Sequence, residues 1–199
     1  RIAERYARKP VPDEDVYQRK LAITQSYFTP DMKVFEFGCG TGTTAVNHAP
    51  FVQHVHAIDV SAKMLEIAEN KAAEAGANNV TFEKAAIDDY EANDESYDVV
   101  LGLSILHLVE DKDAIIKKVW TMLKPGGVFV SSTACLGDKL WFFKYIAPVG
   151  RFVGLMPMLK VFTVNELDES LSRAGFEIDH HWVPKDGHTA FIVAKKWPD

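Results

Sequence analysis

Short apolar runs alternate along this chain with longer segments in which apolar residues recur at helical spacing. The runs are those expected of buried strands, at 34–37, 55–60, 80–84, 97–104 and 128–131. The segments of helical type lie between them, at about 43–49, 62–75 and 115–123. Because strands that alternate with helices form a sheet covered on both faces, the pattern predicts an α/β fold, a three-layer α/β/α sandwich.

Capping and turn residues mark where several of these elements begin and end. Asp13 is expected to cap a first helix over 13–27, and Ser61 to cap the helix that follows the second strand. The run Thr163-Val164-Asn165-Glu166 has the form of a capping box and predicts the start of a last helix. Two strands, at about 177–183 and 189–194, then close the chain as a hairpin.

The most informative stretch is the first strand, which breaks into the glycine-dense loop Gly38-Cys39-Gly40-Thr41-Gly42. Glycine lacks a Cβ atom, so this backbone is free to adopt positive φ and a ligand can lie directly against it. The helix that follows directs free N–H groups toward such a ligand. A dinucleotide fingerprint needs its third glycine where this chain has Thr43, so the spacing disfavours NAD.

A second signal is Asp59, at the carboxyl end of the second strand. It follows Gly40 at about the spacing at which nucleotide-binding α/β folds place a carboxylate for ribose hydroxyls. The alternative is an N-cap for the next helix, but Ser61 already supplies that cap. Asp59 is therefore interpreted as a ribose ligand.

The Glu-x-Gly-x-Gly-x-Gly pattern at 36–42, together with Asp59 and the Leu-Lys-Pro-Gly-Gly turn at 123–127, resembles the class I S-adenosylmethionine (SAM) dependent methyltransferases. The resemblance covers about residues 30–195 and is to small-molecule enzymes of the ubiquinone and menaquinone biosynthesis type. It implies a Rossmann-like sheet of seven strands with the last strand antiparallel. It also implies SAM as the cofactor and S-adenosylhomocysteine as its product.

The same resemblance implies which residues bind the cofactor. Glu36 and the glycine loop would hold the methionine end of SAM, Asp59 the ribose, and the end of the fourth strand the amino acid portion. Apolar residues after Asp59 and backbone groups after the third strand would contact the adenine. The candidates are Glu36, Gly38, Cys39, Gly40, Thr41, Gly42, Asp59, Val60, Met64, Ala86, Ile87, Leu103 and Ser104.

Residues 1–30 precede the methyltransferase domain, which the resemblance places at 31–199. In the family such segments often cover the site as a helical lid. Tyr6, Tyr17 and Lys20 could then face the cofactor, and Tyr17 is taken as a weak cofactor-binding candidate. An ordinary packing helix with half-buried tyrosines is the alternative.

The chain departs from its relatives at two places that bear on the substrate. Many of them have Gly-Asp where this chain has Ala85-Ala86, so the carboxylate that reads the adenine amino group is missing, unless Asp88 replaces it. Nucleobase amine methyltransferases carry an acidic or Asn residue with Pro-Pro and an aromatic at the end of the fourth strand, where this chain has Gly-Leu-Ser-Ile. His107, just beyond, is either a general base or a structural residue that caps the loop.

Residues 133–162 form an apolar insertion after the fifth strand, where the family builds its acceptor pocket. Trp141, Phe142, Phe152 and Met156 are expected to lie in a helical cover over the acceptor, which would then be hydrophobic or amphipathic. The alternatives are a part of the core, a dimer contact or a peripheral contact with a membrane surface. The run is too interrupted by charge to span a bilayer.

Composition narrows the functional classes further. A formal net charge of −6 disfavours nucleic acid as a partner, and the seven histidines show no metal-ligand spacing, so no metal is expected. Two cysteines and the absence of an apolar leader in the sequence given predict a cytoplasmic protein. A monomer or homodimer is expected. Methylation of a small molecule is the primary hypothesis. Methylation of a protein or nucleic acid, and SAM binding without catalysis, remain the alternatives.

Overall fold

The computed structural model describes residues 13–135, 160, 162–184 and 189–197, and the elements within them follow the predicted alternation. The helices are α1 (Glu14–Gln25), α2 (Thr43–His48), α3 (Ala62–Ala75), α4 (Lys112–Met122) and α5 (Val164–Arg173), with a 3-10 turn at Ala49–Phe51. The strands are β1 (Lys33–Phe37), β2 (His54–Asp59), β3 (Val80–Lys84), β4 (Tyr97–Leu103), β5 (Leu123–Ala134), β6 (Glu177–Trp182) and β7 (Thr189–Lys195).

The seven strands form one sheet in the order β3-β2-β1-β4-β5-β7-β6. Strands β1 to β5 run parallel, and β7 is antiparallel to both of its neighbours. The predicted seven-stranded Rossmann-like sheet with an antiparallel last strand is therefore confirmed. The strand order reverses between β1 and β4, and ligands bind outside the carboxyl ends of strands at such a switch point.

Side chains alternate between the two faces of the sheet and build two core layers. Val34 and Leu101 pack on one face with residues of α2 and α3, and Ile23 of α1 packs against the same layer. Phe35 and Phe129 pack on the other face with residues of α4 and α5. The helices thus cover both faces, as the three-layer prediction required.

Several predicted caps are observed. The side chains of Asp13 and Ser61 accept hydrogen bonds from the backbone N–H groups of Val16 and Met64, and so begin α1 and α3. Thr163 and Glu166 form the reciprocal capping box that begins α5. None of the described helices has the length and apolar character needed to cross a membrane.

Both predicted boundaries of the fifth strand are wrong. The turn at 123–127 does not precede the fifth strand but belongs to it, because Leu123 already pairs with Tyr97 and the ladder resumes at Val128 after a shift in register. The strand also continues to Ala134, which pairs with Thr189, so residues 133 and 134 belong to the sheet and not to an insertion. The proposed cover, with Trp141, Phe142, Phe152 and Met156, lies outside the described residues, as does Tyr6.

Candidate cofactor and acceptor site

The glycine loop lies at the switch point, over the carboxyl ends of β1 and β2. The N–H of Cys39 donates to the carbonyl of Ile58 at 3.0 Å, which extends the β1–β2 pairing one residue into the loop. The N–H of Gly42 donates to the carbonyl of Cys39 at 3.0 Å and closes a tight turn. The Cys39 thiol is buried beside Glu36 and Asp59, and burial is the main cause that raises its pKa. The thiol is therefore uncharged, and its role in the loop is to fill space.

The three loop glycines all adopt positive φ, but for different steric reasons. A Cβ on Gly38 would lie 2.8 Å from the side chain of Ile105, and one on Gly42 would lie 2.7 Å from Ala68 Cβ. Those two glycines are thus required by the packing of the protein against itself. Gly40, with φ +54°, has no atom within 4 Å of its Cβ position. Only Gly40 leaves space where a ligand can lie against the backbone.

Asp59 holds the loop as well as facing the site. Its Oδ2 accepts from the N–H of Gly40 at 2.8 Å, and its Oδ1 accepts from the N–H of Ser61 at 2.9 Å. Each oxygen keeps a second lone pair for a ligand hydroxyl. Because Ser61 caps α3 with its own side chain, the alternative role of Asp59 as that cap is not what the structure shows. The carboxylate instead ties β2 to the glycine loop.

Glu36 is a buried carboxyl without a complete set of partners. Its side chain is 3% exposed, and Oε2 has no hydrogen-bond partner among the described residues. Burial, with a smaller contribution from the charge of Asp59, raises the pKa of Glu36 to about 8. A buried acceptor that makes no hydrogen bond costs free energy. The position of Glu36 Oε2 at the base of a ligand loop therefore points to a donor supplied by the ligand.

The residues predicted to contact the adenine lie in two segments, one directly after Asp59 and one after β3. Val60 is 65% exposed directly after Asp59, and Met64 is half-buried on the first turn of α3. The segment after β3 is held by Lys118, whose Nζ donates to the carbonyl of Ile87 at 2.8 Å. The carbonyl of Ala86 accepts from the N–H of Asp89 at 3.2 Å, so the carbonyls of both residues already take part in hydrogen bonds that hold this segment.

The end of β4 carries a backbone conformation that sequence reasoning did not foresee. Ser104 has φ +58°, a left-handed value that is uncommon outside glycine and concentrates at ligand sites. Its N–H donates to the carbonyl of Ser132 on β5 at 2.6 Å. Leu103, the residue before it, is half-buried and pairs with Ser132 in the sheet. The predicted residues Leu103 and Ser104 therefore lie at the carboxyl edge between β4 and β5.

His107 follows in the loop beyond β4. Burial lowers the pKa of its imidazole, and Nδ1 has no hydrogen-bond partner within the described ranges. The backbone of His107 fastens the loop through its carbonyl, which accepts from the N–H of Lys160 at 2.8 Å. Within the described residues no hydrogen bond of Nδ1 supports the capping role, and the role of His107 as a general base stays a prediction. A neutral imidazole with an open ring nitrogen is able to accept a proton.

Two contacts near the loop were not predicted. Lys71 of α3 reaches across to the hydroxyls of Thr41 and Thr43, and burial lowers its pKa. Tyr17 of α1 accepts from the amide of Asn47 on α2 at 3.0 Å, so its hydroxyl joins two helices beside the loop. No short motif announces such contacts, because each joins residues that are about 30 positions apart in sequence.

The residues present fit SAM. Gly40 leaves the backbone open to a ligand, Glu36 offers a buried acceptor to an ammonium group, and Asp59 offers lone pairs to ribose hydroxyls. In the part of the chain that the structure describes, no group of three His, Cys, Asp or Glu side chains could hold a metal ion. We call Glu36, the loop 38–42 and Asp59 the cofactor half of the site. The ends of β4 and β5, with His107, are the acceptor half.

Comparison with known proteins agrees with this geometry. The model of a family described as a methyltransferase domain matches residues 28–175. The chain is 30% identical to the uncharacterized methyltransferase YcgJ of Bacillus subtilis over 110 residues, which are 55% of this chain and 44% of YcgJ. It is 31% identical to the ubiquinone biosynthesis O-methyltransferase of Serratia proteamaculans over 111 residues, 56% of this chain and 46% of that protein. The match thus spans about half the length of these curated relatives.

Solved structures extend the likeness to nearly the whole chain. The crystal structure of YcgJ superposes with a TM-score of 0.74 at 16% identity and covers 92% of this chain and 100% of that one. A SAM-dependent methyltransferase from Methanosarcina mazei superposes with a TM-score of 0.72 at 24% identity and covers 89% and 98% of the two chains. At these identities the structures establish the fold, and the family model establishes the family. The chain belongs to the class I SAM-dependent methyltransferases, whose cofactor is SAM.

Proposed function

We propose that the protein transfers the methyl group of SAM to a small hydrophobic or amphipathic acceptor. The observation that carries the proposal is a pair of buried polar atoms, one in each half of the sheet edge, that have no hydrogen-bond partner among the described residues. Glu36 Oε2 lies in the cofactor half, and His107 Nδ1 lies in the acceptor half. A cofactor site alone would account for the first atom, and the second supports the proposal that an acceptor group binds beside it.

The two halves have separate tasks. SAM would supply an electrophilic methyl group: a lone pair of the acceptor would bond to the methyl carbon while the carbon–sulfur bond breaks, and the sulfur would keep that electron pair in S-adenosylhomocysteine. Glu36, Gly40 and Asp59 fix the position of the cofactor, and the neutral His107 takes up the proton of an acceptor hydroxyl at Nδ1. Because little covalent work remains for side chains, alignment and exclusion of water account for most of the rate.

An oxygen acceptor is supported by the relative from Serratia proteamaculans, which is named as an O-methyltransferase of ubiquinone biosynthesis. The end of β4 adds support, since Gly102-Leu103-Ser104-Ile105 lacks the acidic or amide side chain expected for methylation of a nucleobase amine. A cytoplasmic monomer or homodimer is part of the proposal. The cytoplasmic location is supported by Cys39 and Cys135, the two cysteines of the chain, which are both buried and are not joined in a disulfide.

The test combines calorimetry with a transfer assay. SAM and S-adenosylhomocysteine are expected to bind and NAD is not, and radiolabelled methyl should pass from SAM to catechols and hydroquinones of increasing chain length. Binding of NAD without SAM would contradict the argument from loop spacing. Binding of SAM without transfer to any member of the panel would favour a SAM-binding protein without catalysis.

The remaining alternative is methylation of a protein or nucleic acid. A formal net charge of −6 counts against a nucleic acid substrate, because phosphate binding requires a basic surface. Incubation of the protein with labelled SAM and either a cell lysate or total RNA separates the cases. Label in protein or RNA, with none in the small-molecule panel, would replace the primary proposal.

A further inference from the structure

The segment after β3 leaves the sheet at its edge. Among the described strands, β3 lies at one edge of the sheet and pairs with β2 alone. Beyond Lys84 the N–H of Ala85 still donates to the carbonyl of Asp59 at 3.2 Å, and the chain then turns at 87–89. The carbonyl groups of this turn are outside the sheet ladder and need other partners.

Lys118 of α4 supplies these partners. Its Nζ donates to the carbonyls of Ile87 at 2.8 Å, Asp88 at 2.6 Å and Tyr90 at 3.2 Å. A lysine ammonium has three N–H donors, so the three bonds use its whole capacity. Because all three acceptors are main-chain groups, the ammonium fixes the curvature of the backbone over 87–90.

The two ends of the segment are held independently of Lys118. Ala85 is tied to Asp59 by the backbone hydrogen bond. At the other end, the ring of Tyr90 stacks on that of Phe35 in β1, with centroids 4.9 Å apart. Loss of Lys118 is therefore expected to alter the path of the backbone between these ends and to leave the fold intact.

We propose that Lys118 is a positioning residue for the cofactor, which holds the segment 86–90 in the path that reads the adenine ring. The inference rests on the proposed function, because it takes this segment as the one that contacts the adenine of SAM. Lys118 acts through the segment, since carbonyl groups engage all three of its donors. It thereby sets the affinity for SAM and S-adenosylhomocysteine, and the preference of the site for adenine over another base.

The side chains of this segment make the path of its backbone decisive. Ala85 and Ala86 have methyl side chains without polar atoms. Polar contact with a base then comes from main-chain groups of the segment or from Asp88, whose side chain is exposed and whose carbonyl Lys118 holds. Because hydrogen bonds weaken steeply outside a narrow range of distance and angle, a small shift of this backbone is expected to lower the affinity for the base.

A purely structural role would use the same three bonds, since they also fasten α4 to the turn after β3. The two roles differ in one measurable property. A fastening residue changes the free energy of unfolding and leaves the choice of base unaltered, whereas a positioning residue changes the affinity for a ligand according to its base. The experiment therefore compares two ligands that differ only in the base.

The experiment uses the full chain and measures binding by calorimetry, so that no methyl transfer is needed. The paired probes are S-adenosylhomocysteine and S-inosylhomocysteine, in which an oxo group replaces the 6-amino group of the purine. Lys118→Met removes the three donors and retains most of the apolar stem, while Lys118→Arg keeps donors for the carbonyl groups. Lys117→Met, at the exposed neighbouring lysine of α4, is the matched control.

Lys118→Met is expected to lower the affinity for S-adenosylhomocysteine about 10-fold, close to the loss of one hydrogen bond to a charged group. The affinity for S-inosylhomocysteine should fall less, so that the preference between the two probes narrows. Lys118→Arg should recover most of the wild-type preference, and Lys117→Met should change neither affinity. In a transfer assay the KM for SAM should rise by a larger factor than kcat falls.

Amide hydrogen exchange reports on the segment without any ligand. The N–H of Asp89 donates to the carbonyl of Ala86 at 3.2 Å, inside the stretch that Lys118 holds. In Lys118→Met the amides of 85–90 are expected to exchange faster than in the wild type, while those of α4 stay unchanged.

Binding of the two probes also separates this inference from the proposed function. A narrowed preference in Lys118→Met supports the role of Lys118, even where no methyl reaches any acceptor and the proposed function fails. Equal losses for both probes, or a wild type that does not distinguish them, overturn the inference even where transfer occurs. Unchanged affinities, with or without a lower free energy of unfolding, overturn it as well. Lys118→Gln, uncharged but still a donor, replaces Lys118→Met should that variant not fold.

Discussion

The cofactor half and the acceptor half share one sheet edge but are built in opposite ways. The cofactor half comes from a continuous stretch, with Glu36 at the end of β1, the loop 38–42 directly after it, and Asp59 at the end of the next strand. The acceptor half joins distant parts of the chain, since Lys20 contacts Ser132, and the loop after β4 contacts Lys160. One half is thus encoded by local spacing and the other by the order of strands.

The difference also concerns what each half leaves open. In the cofactor half, backbone groups and the carboxylate of Asp59 satisfy one another, and Glu36 Oε2 is the buried atom left over. In the acceptor half, Nδ1 of His107 has no hydrogen-bond partner among the described residues, and Ser132 joins Lys20 to the strained backbone of Ser104. The half proposed to bind the cofactor is held mainly by backbone groups, whereas the half proposed to bind the acceptor relies more on side chains.

The largest expected effect separates the halves by function. His107→Gln should lower kcat about 10²- to 10⁴-fold, because a general base is lost, while the SAM affinity stays unchanged. Steady-state transfer rates and calorimetry measure the two quantities. His54→Gln, at the far end of β2, serves as the control. A fall in stability with unchanged kcat would return His107 to a structural role.

The next effect tests the steric difference within the cofactor half. Gly42→Ala should reduce the free energy of unfolding by about 2–5 kcal/mol, because its Cβ would collide with Ala68 and Phe82 in addition to the left-handed strain. Gly40→Ala carries only the strain and should cost about 1–2 kcal/mol. Urea unfolding measures both.

For SAM affinity the expected order is the reverse. Gly40→Ala should bind SAM more weakly than Gly42→Ala when each variant is measured as the folded protein. The Cβ of Gly40→Ala points into the open space beside the loop, whereas that of Gly42→Ala points into the protein. Calorimetry on the folded fraction gives the comparison. Equal losses of stability in the two variants would mean that the loop relaxes and that packing does not distinguish the glycines.

A smaller effect is expected at the ribose position. Asp59→Ala should weaken SAM binding by about 1–3 kcal/mol, the usual cost of losing a charged hydrogen-bond partner. Asp59→Asn keeps one oxygen for the N–H of Gly40 and should therefore lose less SAM affinity than Asp59→Ala. If both variants bind SAM as the wild type does, the carboxylate serves the loop alone.

The smallest effect is the pH dependence from Glu36. Its pKa, raised to about 8, means that the folded state binds more protons than the unfolded state above the ordinary pKa of 4.5. Stability is therefore fully present below 4.5 and is lost as pH rises toward 8. Between pH 6 and pH 7 the free energy of unfolding should fall by about 1 kcal/mol.

Urea unfolding of the wild type and of Glu36→Gln at several pH values checks this slope, which the variant should lack. SAM affinity should move the other way in the wild type and increase with pH, because an ionised Glu36 attracts the ammonium group of the cofactor. A wild type with the same pH profile as Glu36→Gln would show that the carboxyl is solvated or paired in solution.

Prediction from the sequence succeeded where the signal was local. The three positive-φ glycines, the caps at Asp13 and Ser61 and the capping box at Thr163 each depend on a few neighbouring residues, and the structure confirms them. It failed at the fifth strand, where the Pro-Gly-Gly turn lies inside the strand. A turn signal describes local backbone preference, and pairing with β4 on one side and β7 on the other overrides it.

The sequence by itself determined which residues make up the proposed cofactor half, because glycine spacing and a carboxylate at the end of the next strand are features of short segments. Only the tertiary structure decided why Gly42 must be glycine, since Ala68 and Phe82 reach it from α3 and β3. It also decided the acceptor half. The order β1-β4-β5 brings the end of β5 beside that of β4, and α1 folds back over the sheet to set Lys20 against Ser132. Such neighbours follow from chain topology, which no spacing between residues in the sequence encodes.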